Sequence, residues 1–279
     1  MNLGIALALA SALAYGASDF VGGVASRRHS SWQIALVGQT AGAVVMLVAG
    51  LALPGSATTA DYAWALLAGA GSATGSIALY RGLARGRMGL VAPVSGVGAA
   101  VLPLLAGLAF GERPGALVWL GMLVALPGIW LVSRGPASAV KSDTRRSVVD
   151  GAVAGAGFGV LFIALDQISD DAGLLPLAAN QLTGAVLTLA AAVALKQVWR
   201  PTLDVLGWGS ASGVVGSFGT LAFLLATATT SLAITGVLAS LYPAITVLLA
   251  AAVLGERVSL GQRAGIGLCT LAVAAMALG

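Results

Sequence analysis

Few side chains in this sequence could do chemistry, and most of them interrupt apolar runs. Asp19 and Asp166 sit near the ends of two such runs, Arg81 closes a third, and Glu112-Arg113 follow a fourth. An ionised group within or beside a hydrocarbon-length stretch is costly unless paired, wetted or used, so Asp19, Arg81 and Asp166 are candidates for gating or coupling. Asp19 and Arg81 fall toward the same end of their stretches, which allows an ion pair between them. Gln39, Thr40, Asn180 and Gln181 lie deeper. An amide in hydrocarbon must find hydrogen bonds, either on a neighbouring helix or on a solute. Gln39, Asn180, Gln181, Tyr80, Tyr242, Ser95 and Ser240 are the expected substrate-binding residues, with Tyr15, Phe162 and Phe223 as further wall candidates.

Several chemistries find no residues to support them. No GxxxxGK[ST] segment occurs, so no phosphate cradle for a nucleotide is expected. The single histidine, His29, stands in the basic segment Ser26-Arg-Arg-His-Ser30 with no carboxylate near it in sequence. A metal centre or a histidine-based catalytic unit is therefore not expected. The one cysteine, Cys269, reads as a small packing residue. The chain is read as no enzyme, with no catalytic residue, no cofactor and no metal. The mid-points of the apolar runs carry no Asp or Glu, which argues against simple carboxylate-driven proton antiport. Facilitated diffusion or exchange is the expected energetic mode.

The elements that must position these residues are membrane helices. Of the 279 residues 58% are hydrophobic and 9% charged, with only two Lys and two Glu. Windows of roughly twenty residues mark ten stretches near 2–22, 33–53, 62–83, 88–110, 115–133, 149–167, 174–195, 204–226, 231–254 and 259–279. That leaves about 28 residues per span and connection, and no room between spans for an extramembrane domain. The first stretch imitates a signal peptide but lacks a basic start, and is read as an uncleaved helix. Glycine triplets such as Gly69, Gly71, Gly75 and Gly209, Gly213, Gly216 form close-packing faces. Pro93, Pro103, Pro127 and Pro243 should kink their helices, and Pro243, beside Tyr242 in the ninth stretch, is the kink expected nearest the cavity.

The chain also repeats itself. Leu108-Ala-Phe-Gly-Glu-Arg-Pro114 returns as Ala252-Val-Leu-Gly-Glu-Arg-Val258, and Gln39-Thr-Ala-Gly-Ala-Val44 as Gln181-Leu-Thr-Gly-Ala-Val186. Tyr15-Gly-Ala-Ser-Asp19 matches Phe162-Ile-Ala-Leu-Asp166. The offsets are nearly constant and the order is kept. Five spans per copy is an odd number, so the second copy enters the membrane from the opposite side. The expected fold is an all-α integral membrane protein, ten transmembrane helices in two inverted five-helix repeats around a central cavity. The expected divisions are a first repeat over 1–135, a basic linker over 136–148 and a second repeat over 149–279.

On Gly111-Glu112-Arg113, Gly255-Glu256-Arg257, the Tyr15–Phe20 run and the prolines of the fourth and ninth spans, the chain resembles the EamA-like family of the drug/metabolite transporter superfamily. The resemblance implies a carrier of small polar metabolites or drugs. The chain is accordingly read as a secondary, ATP-independent exporter of a small neutral, zwitterionic or aromatic solute. A lipid or isoprenoid-phosphate flippase is the alternative, and would need a cationic groove. Thirteen of the fourteen Lys and Arg fall at odd-numbered connections and only Arg113 at an even one. The positive-inside rule then puts both termini outside a plasma or inner membrane. Expected partners are the small-molecule substrate and the bilayer, with no nucleic acid and a monomeric chain.

Overall fold

The computed structural model describes residues 3–84, 88–133, 144–255 and 257–279, and every regular element among them is an α-helix. The first half contains α1 (Leu3–Ser26), α2 (Ser31–Ala52), α3 (Thr59–Ala84), α4 (Met88–Ala109) and α5 (Ala116–Ser133). The second contains α6 (Thr144–Asp166), α7 (Leu175–Ala194), α8 (Leu203–Thr227), α9 (Leu232–Ala239), α10 (Tyr242–Leu254) and α11 (Leu260–Leu278). Residues 136–143 of the expected linker, with Arg85, Arg87, Arg134, Lys141 and Glu256, lie outside the described residues. Residues 144–148, also assigned to the linker, already belong to α6. Nine stretches among the described residues are long and apolar enough to cross a bilayer. α3 is the tenth; it opens with Asp61 and closes with Arg81, and glycines and serines dilute its hydropathy.

The ninth span, Leu232–Leu254, is one traversal made of two helices. Helix α9 stops at Ala239, and α10 restarts at Tyr242 with Pro243 in its first turn. A proline there loses nothing, because the first N–H groups of a helix have no intrahelical acceptor. In mid-helix it would clash with the carbonyl four residues back. The chain resolves that conflict by breaking rather than bending, and the break falls at Ser240-Leu241, in the middle of the bundle.

Helix pairings come in matched sets. α1 runs along α8 as α3 runs along α6, and α2 along α8 as α3 along α7. α4 packs on α6 as α1 packs on α9 and α10, while α2 pairs with α7 and α5 with α11. Exchanging each helix of the first half for its mate in the second reproduces this pattern, as a two-fold axis between inverted repeats requires. Glycines make the seams. A Cβ on Gly213 would lie 1.8 Å from the Gly38 carbonyl oxygen, and one on Gly157 would lie 2.5 Å from the Gly75 nitrogen. At these points backbone touches backbone, which no larger residue permits.

The bundle has two differently built ends. At the end holding both termini, the α2–α3 and α6–α7 connections are tied together. The Asp61 carboxylate accepts from the Ser169 backbone N–H at 2.8 Å, and the Ser56 N–H donates to the Asp171 carbonyl at 2.7 Å. Nearby, Glu112 accepts from the N–H groups of Leu232 (2.7 Å) and Ala233 (3.0 Å), capping α9. The Gly-Glu-Arg segment thus fastens the end of α4 to the start of α9. Its glycine has φ +96°, and Gly255 in the second copy has φ +67°, both in the left-handed region where a side chain is strained. At the opposite end, which carries the basic connections, Arg81 pairs with Asp150 and His29 lies 2.7 Å from Asp204.

Candidate functional site

A cavity occupies the seam between the two repeats. Its wall takes residues from α1, α2 and α3 on one side and from α6, α7, α8 and α10 on the other. On α1 these are Tyr15, Ser18 and Asp19, successive positions of one helical face. On α3, Ser72, Ser76 and Tyr80 are spaced four apart and so stack along one side of the helix. α2 contributes Ile34, Ala35, Gly38 and Gln39, from its first three turns, so the cavity runs from mid-bundle toward the end with the basic connections.

Toward the other end the space is stopped by rings. Phe162 stacks on fully buried Phe223 with centroids 4.4 Å apart and planes 10° from parallel, and Tyr15 tilts against Phe162 at 5.8 Å. Beyond these rings lie Leu165, Leu177 and Leu232, all buried. Together with the tied connections above, they close the cavity from the terminal end.

The two glutamines occupy equivalent places. Gln39 accepts from Thr188 Oγ1 at 2.8 Å and packs on Gly184; Gln181 donates to Ser217 Oγ at 2.9 Å and packs on Gly42. Gly42 and Gly184 are themselves repeat mates, so each amide of one half rests on a glycine of the other. Both line the cavity. The Gln39 Nε2 has no hydrogen-bond partner among the described residues, which leaves a buried donor at the wall.

The remaining expected site residues divide. Tyr80 and Tyr242 reach the cavity, and Ser95 stands behind Tyr242, its hydroxyl 3.2 Å from the phenol oxygen. Ser240 is fully buried at the helix break and Asn180 is fully buried on α7; neither is at the wall, and the side-chain polar atoms of both lack partners among the described residues. Asp166 ends α6 one turn beyond the wall residue Phe162, toward the terminal end and outside the cavity lining, and accepts from Gln167 Nε2 at 2.9 Å.

Two expectations are corrected. The ion pair between Asp19 and Arg81 does not form. Arg81 Nε donates to Asp150 Oδ1 at 3.1 Å, because the last turn of α3 lies along the first turns of α6. Nor is Asp19 a rim residue. Helix α1 continues to Ser26, four residues past its expected end, which leaves seven residues, about 10 Å of helix, between Asp19 and that end. A carboxylate therefore stands at the cavity wall about two turns from the helix end, while the span mid-points themselves carry none. His29, with no carboxylate near it in sequence, has Asp204 beside it through folding, with that side chain well exposed.

Sequence reasoning missed Ser18, Ser72, Ser76 and Phe158 at the wall. A signal was present for the α3 serines: with Tyr80 they mark one face of a helix at a four-residue period. Ser18 and Ser212 exchange hydrogen bonds across α1 and α8 (Ser18 Oγ to the Ser212 carbonyl 2.8 Å), which no local pattern could pair.

Comparison with known proteins bears on the whole length. The model of the EamA-like transporter family matches residues 2–134 and again residues 148–278. A crystal structure of a protein 17% identical to this chain superposes with a TM-score of 0.77, covering 99% of this chain and 96% of the other. At that identity the likeness speaks for the fold alone. No curated protein matches the sequence significantly.

Proposed function

This chain belongs to the EamA-like transporter family and is a membrane transporter of the drug/metabolite transporter superfamily, and from that premise we propose that it exports a small zwitterionic, aromatic or neutral organic solute by alternating access. The observation that carries the reading is the cavity on the seam of the inverted repeats, walled by both halves. Rocking one half against the other would turn the same wall toward the opposite face. The glycine seams between α2 and α8 and between α3 and α6 suit such motion, since no interlocked side chains need to part there.

The wall supports a solute of mixed character. Tyr15, Tyr80, Phe158 and Tyr242 offer rings, and Gln39, Ser72 and Ser76 offer hydrogen bonds. No Arg, Lys or His is among its described residues, whereas a lipid or isoprenoid phosphate would require cations. That weighs for a soluble solute over the flippase. Basic connections at the end toward which the cavity runs put that end in the cytoplasm and both termini outside, which fits loading from within and release outward. Without a phosphate cradle, transport is driven by a gradient or by exchange rather than by ATP.

A thermal-shift screen of small metabolites on the purified protein, followed by counterflow of the best hit in proteoliposomes, tests this reading. Gln39→Ala and Gln181→Ala are each expected to weaken apparent affinity by about two- to twelve-fold, the worth of one hydrogen bond of 0.5–1.5 kcal/mol. Expression and melting temperature should stay near those of the parent. Unfolding of both variants with unchanged affinity in the residual protein would make the glutamines helix ties and move the site. A stabilising hit that shows no counterflow would overturn the carrier reading itself.

A further inference from the structure

We infer that the Asp19 carboxylate receives an ammonium group of the transported solute, so that the cavity selects organic amines, zwitterions included, over their neutral and acidic analogues. This rests on the proposed carrier site and names its substrate class. Asp19 is the only charged side chain among the described residues of the wall, and it makes no hydrogen bond or ion pair with any described residue. The arginine that could have neutralised it, Arg81, is engaged by Asp150. An unpaired carboxylate in a low-dielectric seam is destabilising, and a positive group delivered by the solute relieves that cost. Structural carboxylates elsewhere in this chain are handled differently: Asp61 and Glu112 each accept two or more hydrogen bonds from neighbouring segments.

The surroundings of Asp19 fit an amine with an apolar or aromatic body. Tyr15 lies one turn before it on the same face of α1. The Tyr80 hydroxyl presses on α1 one turn after it, 2.7 Å from where a Cβ on Gly22 would stand. The Tyr242 backbone lies against α1 at Gly16, one turn before, and its ring reaches the cavity. Three phenol rings thus converge on one carboxylate, and ring faces attract cations as well as apolar groups. Ser72, Ser76 and Gln39 across the wall are neutral donors suited to the other, polar end of a zwitterion.

The test is binding to the full-length protein in detergent, by calorimetry and thermal shift, of three probes of similar shape: 2-phenylethylammonium, 2-phenylethanol and 3-phenylpropionate. Saturable binding is expected for the amine alone, weakened at least tenfold in Asp19→Asn, largely kept in Asp19→Glu and unchanged in Asp166→Asn. Equal responses to amine and alcohol, an amine response that survives Asp19→Asn, or no response to any of the three would overturn the inference. If Asp19→Asn does not fold, the probe comparison on the parent and the Asp19→Glu result decide the matter. Sodium or potassium abolishing amine binding at equal concentration would reassign Asp19 to an inorganic cation and overturn it too. Because binding is read without transport, an amine that binds but is never carried would count against the carrier reading and leave this inference standing.

Discussion

Joining the α2–α3 connection to the α6–α7 connection by a disulfide is expected to stop transport completely. The pair is Ser56→Cys with Asp171→Cys, in a chain whose own buried thiol has been removed by Cys269→Ala. The hydrogen bond from Ser56 N–H to the Asp171 carbonyl, 2.7 Å long, brings the two backbones within disulfide reach. Gly55 and Gly173 are packed so closely beside it that a Cβ on Gly55 would lie 2.3 Å from the Gly173 nitrogen. If the solute leaves by the terminal end, these connections must separate in every cycle, and a covalent tie holds them shut. Oxidised double-cysteine protein should show only liposome background, reductant should restore the rate, and each single-cysteine variant should transport as the parent does. Full transport by protein shown to be oxidised would mean the exit lies elsewhere.

The second large effect is on folding. Gly213→Leu is expected to yield no stable protein. Its Cβ would stand 1.8 Å from the Gly38 carbonyl oxygen, on rigid backbone that cannot rotate aside. Overpacking that flexible side chains absorb costs about 1–3 kcal/mol. Here α2 and α8 must move apart along their whole seam, so the cost should exceed about 3 kcal/mol, a large share of the stability of a typical domain. Gly267→Leu is the control, because a Cβ there meets nothing within 4 Å. Its gel-filtration profile and melting temperature should match the parent, while Gly213→Leu should aggregate. A Gly213→Leu protein that melts with the parent would contradict the close seam.

Much of this architecture was legible in the residues. Hydropathy marks the spans, the duplicated Gly-Glu-Arg and Gln-x-x-Gly-Ala-Val segments mark the repeats, and Pro243 marks the broken helix. Each is a local property of the chain. Asp19 was misjudged because hydropathy falls at the small residues after Phe20, whereas helical hydrogen bonding carries α1 on to Ser26. An apolarity boundary and a helix boundary are different quantities, and here the second leaves Asp19 about two turns inside the helix end. The pairing of Arg81 with Asp150 was hidden for another reason. It depends on α3 lying along α6, a contact between halves that neither residue's neighbourhood encodes. Ser95 and Ser240 stand out beside their aromatic and proline neighbours, whereas Ser18, Ser72 and Ser76 do not, since small polar residues are common in glycine-rich membrane helices. Only the neighbouring helices decide whether such a hydroxyl faces a seam or a cavity.

The claim that matters most is that one cavity between the repeats is reached first from one face of the membrane and then from the other. Ser76, half-buried on the α3 wall, reports on it. In the Cys269→Ala background, Ser76→Cys should react with a membrane-impermeant thiol reagent in inside-out vesicles, where the proposed topology exposes the basic connections. It should also react in right-side-out vesicles during transport, and lose only that second reactivity when the Ser56→Cys/Asp171→Cys pair is oxidised. A cysteine unreactive from both faces, or one whose outside reactivity is indifferent to the crosslink, would contradict the account.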